Sequence, residues 1–300
     1  MVIMSVIQIK NLTKDYGNSK GVFDLSFEIP KGEVFGFLGP NGAGKTTTIR
    51  HLLGFLNADK GECIIDGKDC RTSQAEIQKE LGYLPGEIAF FDELSGTEFV
   101  KFIAEMRGMK DFTRMNKLIE MFELDTKGRL KKMSKGMKQK IGIVCAFMHN
   151  PQVLILDEPT SGLDPLMQNR FVELIAEEKK AGKTILMSSH SFEEVEKTCD
   201  RVGIIKNGKL VAIEEVATLN NSRRKTFVVT LKNENEALAF SKEEINVVTL
   251  NKNIVTVLVK GDIKAFISAM AKHDVVGIDV ITQSLEEIFM HYYGGENNVQ

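Results

Sequence analysis

The sequence has no excess of charge of one sign. Its 39 Lys and Arg against 41 Asp and Glu leave a net charge of −2 over 300 residues. Such a balance gives no electrostatic footprint for nucleic acid, so no nucleic-acid partner is expected. Long apolar runs are missing too, and no stretch approaches the roughly 20 residues a helix needs to span a bilayer. The apolar start, Met1 to Ile9, is short and lacks a basic leader and a small-residue cleavage site, so no signal peptide is read. Cysteine is sparse. Cys63, Cys70, Cys145 and Cys199 are widely spaced and make no C-x-x-C pair, which leaves reduced thiols with packing roles as the reading. What remains, 43% hydrophobic and 27% charged residues, is ordinary for a soluble globular protein. The length suggests about two domains and allows a sizeable core.

Residues 39–46 read Gly39-Pro40-Asn41-Gly42-Ala43-Gly44-Lys45-Thr46. This is the G-x-x-x-x-G-K-[ST] phosphate loop, and it predicts a nucleoside triphosphate bound with Mg²⁺. Glycines let the backbone curl so that several N–H groups point at one anion. The helix that follows adds its positive end. Lys45 brings a cation to the β- and γ-phosphates, and the Thr46 hydroxyl is placed to ligate Mg²⁺. The surroundings match the motif. Glu33 to Leu38 reads as a buried strand, and Ile49, Leu52, Leu53 and Leu56 recur at helical spacing.

The first 30 residues read as antiparallel strands, with Val6 to Lys10 as one and Val22 to Ile29 as another. Cys63 to Asp66 with Gly67 suggests a further hairpin edge. From about residue 86 to 150 the pattern is helical: Phe99, Phe102, Ile103 and Met106 share one face, and Met115, Leu118, Ile119 and Phe122 another. A third helix opens after Ser134 and stops before Asn150-Pro151. Val153 to Leu156 and Thr184 to Met187 read as buried strands. Between them Asp164-Pro165 caps a helix ending near Gly182. Ser191 with Glu194 reads as a capping box. Asn207-Gly208 predicts a hairpin. Strands alternating with helices argue for a mainly parallel α/β sheet. The polar, basic stretch Asn220 to Lys225 marks a domain boundary, giving domains 1–218 and 219–300. The second domain reads as α+β, with strands near Thr226 to Leu231, Val247 to Leu250, Ile254 to Val259 and Val275 to Ile281, and a last helix.

Hydrolysis needs more than a phosphate loop. Val153 to Leu156 delivers adjacent acids, Asp157 and Glu158, to the C-terminal end of a strand, where ligands sit in open α/β sheets. Asp157 would hold Mg²⁺, and Glu158 would act as general base toward the attacking water. His190, at the end of the next buried strand, is the candidate to reach the γ-phosphate.

With these motifs in view, the chain resembles the ATP-binding subunits of ABC transporters over roughly Val6 to Val216. The resemblance implies a P-loop α/β cassette with an antiparallel β part and a helical part. Tyr16 matches the aromatic residue that stacks on adenine, and Gly39 to Thr47 match Walker A. Met133-Ser134-Lys135-Gly136-Met137 hold the signature position, with Ser134 and Gly136 contacting phosphate. Asp157 and Glu158 match Walker B and the catalytic glutamate. Ser161-Gly162-Leu163-Asp164 match the D-loop, and His190 matches the switch histidine. The family implies a homodimer with two ATP molecules between Walker A of one subunit and the signature of the other. It also implies a separately encoded membrane permease and a place on the cytoplasmic face of the cell membrane.

Two departures stand out. The usual signature Leu-Ser-Gly-Gly-Gln is Met-Ser-Lys-Gly-Met here. The Q-loop glutamine aligns with Gly86, so water fills the gap, or Glu87 reaches in, or turnover is slower. The signature and the ending Ser284-Leu285-Glu286-Glu287-Ile288-Phe289 resemble the bacterial drug and antibiotic export branch. Phe90 and Phe91 are either the permease contact or core residues. The alternative function is a soluble nucleotide switch acting on a macromolecular complex, and a third is a binding-only regulator.

Overall fold

The computed structural model describes residues 5–91, 93–222, 225–259 and 263–282. The chain forms two compact units, Met1–Val216 and Ala217–Gln300.

The first unit opens on two antiparallel strands, β1 (Ser5–Asp15) and β2 (Gly21–Pro30). Apolar residues alternate on β2, and Val22, Leu25, Phe27 and Ile29 are buried. Next, β3 (Val34–Leu38) is buried at every position and feeds the phosphate loop and α1 (Lys45–Leu52). Strands β4 (Lys60–Ile65) and β5 (Lys68–Asp69) are joined by Asp66-Gly67, both at positive φ. They complete a four-stranded sheet of order β2-β1-β4-β5. The ring of Phe27 stacks on Phe35 with centroids 5.1 Å apart, so this sheet shares a core with β3.

Then come α2 (Gln74–Glu80) and β6 (Leu81–Leu84), neither announced by the sequence pattern. Three helices follow: α3 (Gly96–Met106), α4 (Thr113–Met121) and α5 (Lys135–Phe147). Ser134 caps α5 as expected, its hydroxyl accepting from the Met137 N–H at 3.2 Å. The apolar face expected on α3 is corrected. Phe99, Val100 and Ala104 turn inward, whereas Phe102 and Met106 are exposed. Phe102 instead joins an aromatic cluster with Phe91, Phe99 and Phe90, at centroid distances of 4.9 to 6.3 Å.

The chain returns through β7 (Val153–Asp157), α6 (Pro165–Lys180), β8 (Thr184–Ser189), α7 (Phe192–Thr198), β9 (Arg201–Lys206) and β10 (Lys209–Glu215). Asp164 caps α6 by accepting from the Met167 N–H at 3.0 Å, with Pro165 in the first turn. Asn207 and Gly208 both take positive φ, as a two-residue hairpin turn requires. The central sheet has order β10-β9-β3-β8-β7-β6, parallel except for β10. Its register sets the site. Leu38 pairs with Ser189 and Asp157 with Ser188, so β3, β8 and β7 end side by side.

Away from that edge lies a buried charge cluster. Arg114 on α4 donates to Glu178 on α6, and Lys183 pairs with the same carboxylate. Arg114 also donates to the Phe147 carbonyl, and Lys183 to Asn150 Oδ1 at 2.6 Å. The four cysteines are free, and burial pushes the Cys63, Cys145 and Cys199 thiols up to about 12.

After α8 (Val216–Ser222), the second unit holds β11 (Lys225–Leu231), α9 (Glu234–Phe240), β12 (Val247–Asn251), β13 (Ile254–Val259), α10 (Lys264–Met270) and β14 (Val275–Thr282). Its antiparallel sheet, of order β12-β13-β11-β14, packs around Phe227, Val229, Phe240, Val257 and Phe266. The last helix expected, with Ser284 to Phe289, lies outside the described residues.

Candidate functional site

The phosphate loop is held from three sides. The Gly39 N–H donates to the Ser189 carbonyl at 3.3 Å, the Ala43 N–H to the Pro40 carbonyl at 3.1 Å, and the Gly208 N–H to the Ala43 carbonyl at 2.9 Å. Asn41 and Gly42 stand exposed at the tip. Gly44 needs its lack of a side chain, because its φ is 111° and a Cβ there would lie 2.7 Å from Val22. The buried Lys45 ammonium donates to the Gly39 carbonyl at 2.7 Å and the Pro40 carbonyl at 3.3 Å. Its chain is therefore folded along the loop with the charge over its centre. The Thr47 carbonyl lies 2.8 Å from His51 Nδ1, one helical turn on.

The acids meet this loop. The Thr46 hydroxyl donates to Asp157 Oδ2 at 2.9 Å, and the Ser188 hydroxyl donates to Asp157 Oδ1. Glu158 takes φ of 48°, a left-handed conformation that few non-glycine residues adopt. Its N–H donates to Ser188, through the carbonyl at 3.2 Å and the hydroxyl at 3.1 Å. That turn aims the carboxylate back at the loop, with Oε1 3.6 Å from Lys45 Nζ and Oε2 3.6 Å from His190 Nδ1. His190 is 60% exposed, so only one edge of its ring is committed. A strained backbone held by bonds to a neighbouring strand is a feature of functional sites.

Gly86 stands against the same cluster. A Cβ there would lie 3.3 Å from Asp157 Oδ2, so a longer side chain at this position would reach the carboxylate. We expect Gly86→Gln to raise ATP hydrolysis about fivefold, or ~1 kcal/mol of barrier, by returning an amide to that oxygen. Steady-state phosphate release checks this, and an unchanged rate would mean the position is idle.

Ser134 and Gly136 lie apart from this group. Among the described residues no hydrogen bond joins them to residues 39–46. Gly136 instead meets the Gly162 carbonyl, 2.6 Å from where a Cβ would be. Lys135, in the place of the usual glycine, lies over Gly162 and donates to the Ser161 hydroxyl at 2.8 Å. Signature helix and D-loop are thus tied within one chain, and the N-terminal end of α5 faces outward. Tyr16 is 53% exposed, in the turn between β1 and β2, with the Lys14 ammonium 6.0 Å from its ring centre.

The structure adds three residues that sequence reasoning passed over. Ser188 fixes both acids. Gln139, buried on α5, donates to the Pro159 carbonyl at 2.8 Å and the Glu158 carbonyl at 3.3 Å, supporting the strained turn from below. Glu194 is the third. The capping box expected at Ser191 and Glu194 is half formed. Ser191 accepts from the Glu194 N–H at 3.4 Å, but the Glu194 carboxylate turns inward to Ser189. The Ser191 N–H goes to the Ser189 hydroxyl at 2.9 Å instead. A second serine beside the cap was the one signal in the sequence.

A parallel α/β sheet whose central strand feeds a G-x-x-x-x-G-K-T loop, flanked by an acid pair on the next strand but one, defines a P-loop nucleotide-binding protein. Comparison with known proteins sharpens the class. The ABC transporter family profile matches residues 22–161. The chain is 32% identical over 295 residues to the ABC transporter ATP-binding protein YhcH of Bacillus subtilis, covering 97% of this chain and 96% of that one. It is 36% identical over 248 residues to the bacitracin transport ATP-binding protein BcrA of Bacillus licheniformis, covering 81% and 80% of the two. A solved ATP-binding subunit of an ABC transporter superposes with a TM-score of 0.67 at 31% identity, covering 72% of this chain and 92% of that one. The chain belongs to the ABC transporter family and is one of its ATP-binding, ATP-hydrolysing subunits.

Proposed function

We propose that two copies of this chain clamp ATP between them and power export through a separate membrane permease. The observation that carries the reading is the convergence of Lys45, Thr46, Asp157, Glu158 and His190 at one sheet edge, while among the described residues no hydrogen bond joins the signature residues Ser134 and Gly136 to the phosphate loop. Donors with no anion in their own subunit suit the phosphate of a second one.

The donor set fits a small hard cation: the Thr46 hydroxyl and an Asp157 oxygen already meet at 2.9 Å. Mg²⁺ held there would neutralise charge on the phosphates. The loop amides from Gly39 to Thr47 would bind the phosphate oxygens, Lys45 would release its two carbonyls for them, and Tyr16 would stack on the base. Glu158 would take the proton of the attacking water, its carboxylate oriented by Lys45 and His190. Residues 1–218 would form the nucleotide domain and 219–300 an accessory domain.

Export as the task is supported by relatives such as the bacitracin transport protein BcrA. No helix among the described residues is long and apolar enough to cross a membrane. The exposed rings of Phe91 and Phe102 would offer that permease a docking site at the cytoplasmic face of the membrane. Tagged full-length chain should sediment with membranes when its neighbouring permease is expressed, and stay in the supernatant without it. Permease-independent association with a ribosome or another large complex would overturn the export reading.

A further inference from the structure

Glu194 is a buried acid that none of the roles above uses. It sits on α7, 9% exposed, beneath the turn that carries His190. Its Oε2 accepts from the Ser189 hydroxyl at 2.5 Å. Its Oε1 is buried, and the Thr160 hydroxyl is a further donor to the carboxylate. Ser189 is the joint of the site: its carbonyl holds the Gly39 N–H, its hydroxyl receives the Ser191 N–H, and the next residue is His190. One hydrogen bond therefore separates Glu194 from the turn bearing the switch histidine, and one residue separates that bond from the first amide of the phosphate loop.

We propose that Glu194 is a positioning residue for ATP hydrolysis, its ionisation setting the Ser189 hydroxyl and through it the placement of His190 and the Gly39 amide. The inference rests on the proposed hydrolytic reading of that site. A second acceptor makes the setting two-valued, because the Ser191 carbonyl lies 3.3 Å from the same hydroxyl. Ionised Glu194 holds the hydroxyl strongly, since bonds to charged acceptors are the stronger ones. Protonated Glu194 holds it weakly and lets it turn to Ser191.

The surroundings set where the change falls. A cavity of about 260 Å³ opens beside Glu194, and the charged or titratable groups facing it are Glu158 after β7, His190 after β8, and Glu193 and Lys197 on α7. The α6 wall contributes the neutral Gln168 and Asn169. Burial pushes the Glu194 carboxyl up to about 7, the Ser189 and Thr160 hydroxyls pull the other way, and the charge of Glu158 adds to the rise. The acid is thus charged above about pH 7 and neutral below it.

Nucleotide-free, ¹⁵N-labelled full-length protein tests the coupling by amide NMR between about pH 5.5 and 8.5, a span bracketing the titration. The Gly39 and Ser191 amides should shift with one common midpoint near that of Glu194, and Glu194→Gln should abolish the shift. Persistence of the inflection in Glu194→Gln, or a Gly39 amide that does not move in the wild type, overturns the proposal. Hydrolysis adds a second readout. Wild-type kcat should fall about fivefold from pH 8 to pH 6, while Glu194→Gln stays at the lower level throughout and keeps KM within about twofold. A raised KM with unchanged kcat also overturns it. Should Glu194→Gln fail to fold, Ser189→Ala breaks the same link and should leave the Gly39 amide insensitive to pH across this range. A wild type that hydrolyses no ATP would sink the functional reading, and the amide titration would still decide the role of Glu194.

Discussion

Glu158→Gln should bind Mg-ATP as the wild type does, lose hydrolysis by about 10²- to 10⁴-fold, and remain a dimer once ATP is added. The loss corresponds to roughly 3–5 kcal/mol of barrier. The substitution keeps the shape of the side chain and the strained backbone at φ 48°, so the loop and the acid Asp157 stay in place. What goes is the charge that faces Lys45 and His190 at 3.6 Å each, and with it the proposed proton acceptor for water. An enzyme that closes on ATP and cannot cut it stays closed, which is a shift of population by unspent binding energy. Single-turnover hydrolysis and light scattering after gel filtration measure the two effects. Wild-type turnover in the variant would remove Glu158 from the role of base.

Lys45→Ala should lose both tight ATP binding and hydrolysis, the latter by at least about 10²-fold, because a cation at the transferring phosphate is among the largest electrostatic terms in such sites. The fold should survive. The two carbonyls that Lys45 holds, on Gly39 and Pro40, border the exposed tip of the loop and can turn to water. A few bonds of this kind are worth about 1 kcal/mol each in net stability. Titration with a fluorescent ATP analogue, beside a thermal melt, separates the two outcomes. Unchanged nucleotide affinity would contradict the assignment of the loop.

The parts of this protein that could be read in advance are those where one residue type has one physical use. Gly44 and Lys45 specify a phosphate loop, Asp164-Pro165 a helix start, and Asn207-Gly208 a hairpin, and each stands where its chemistry required. Buried parallel strands such as β7 were legible because both faces are apolar. Short edge elements were not. α2 carries only Ala75 and Ile77 as apolar residues and β6 is only four residues long, too little for a period to emerge, and β6 is defined by its pairing with β7, a contact 72 residues away in the chain by register of Leu81 with Val153. The face of α3 was misjudged for a related reason. Helical spacing shows which residues share a side, and Phe91 and Phe90 arrive from another segment to share the load. Within the site, Ser188 and Gln139 escaped notice and Glu194 was read only as a helix cap, because serine, glutamine and glutamate are equally at home on a wet surface, and only the fold turned them inward.

The cluster of Arg114, Glu178 and Lys183 has a mechanical consequence. Two cations share one buried carboxylate there, and removing Glu178 would strand the buried Lys183 charge away from water, a cost of several kcal/mol. The bond is therefore hard to break in passing. Because Arg114 also donates to the Phe147 carbonyl, this one carboxylate ties α4 and the end of α5 to α6 as a single joint.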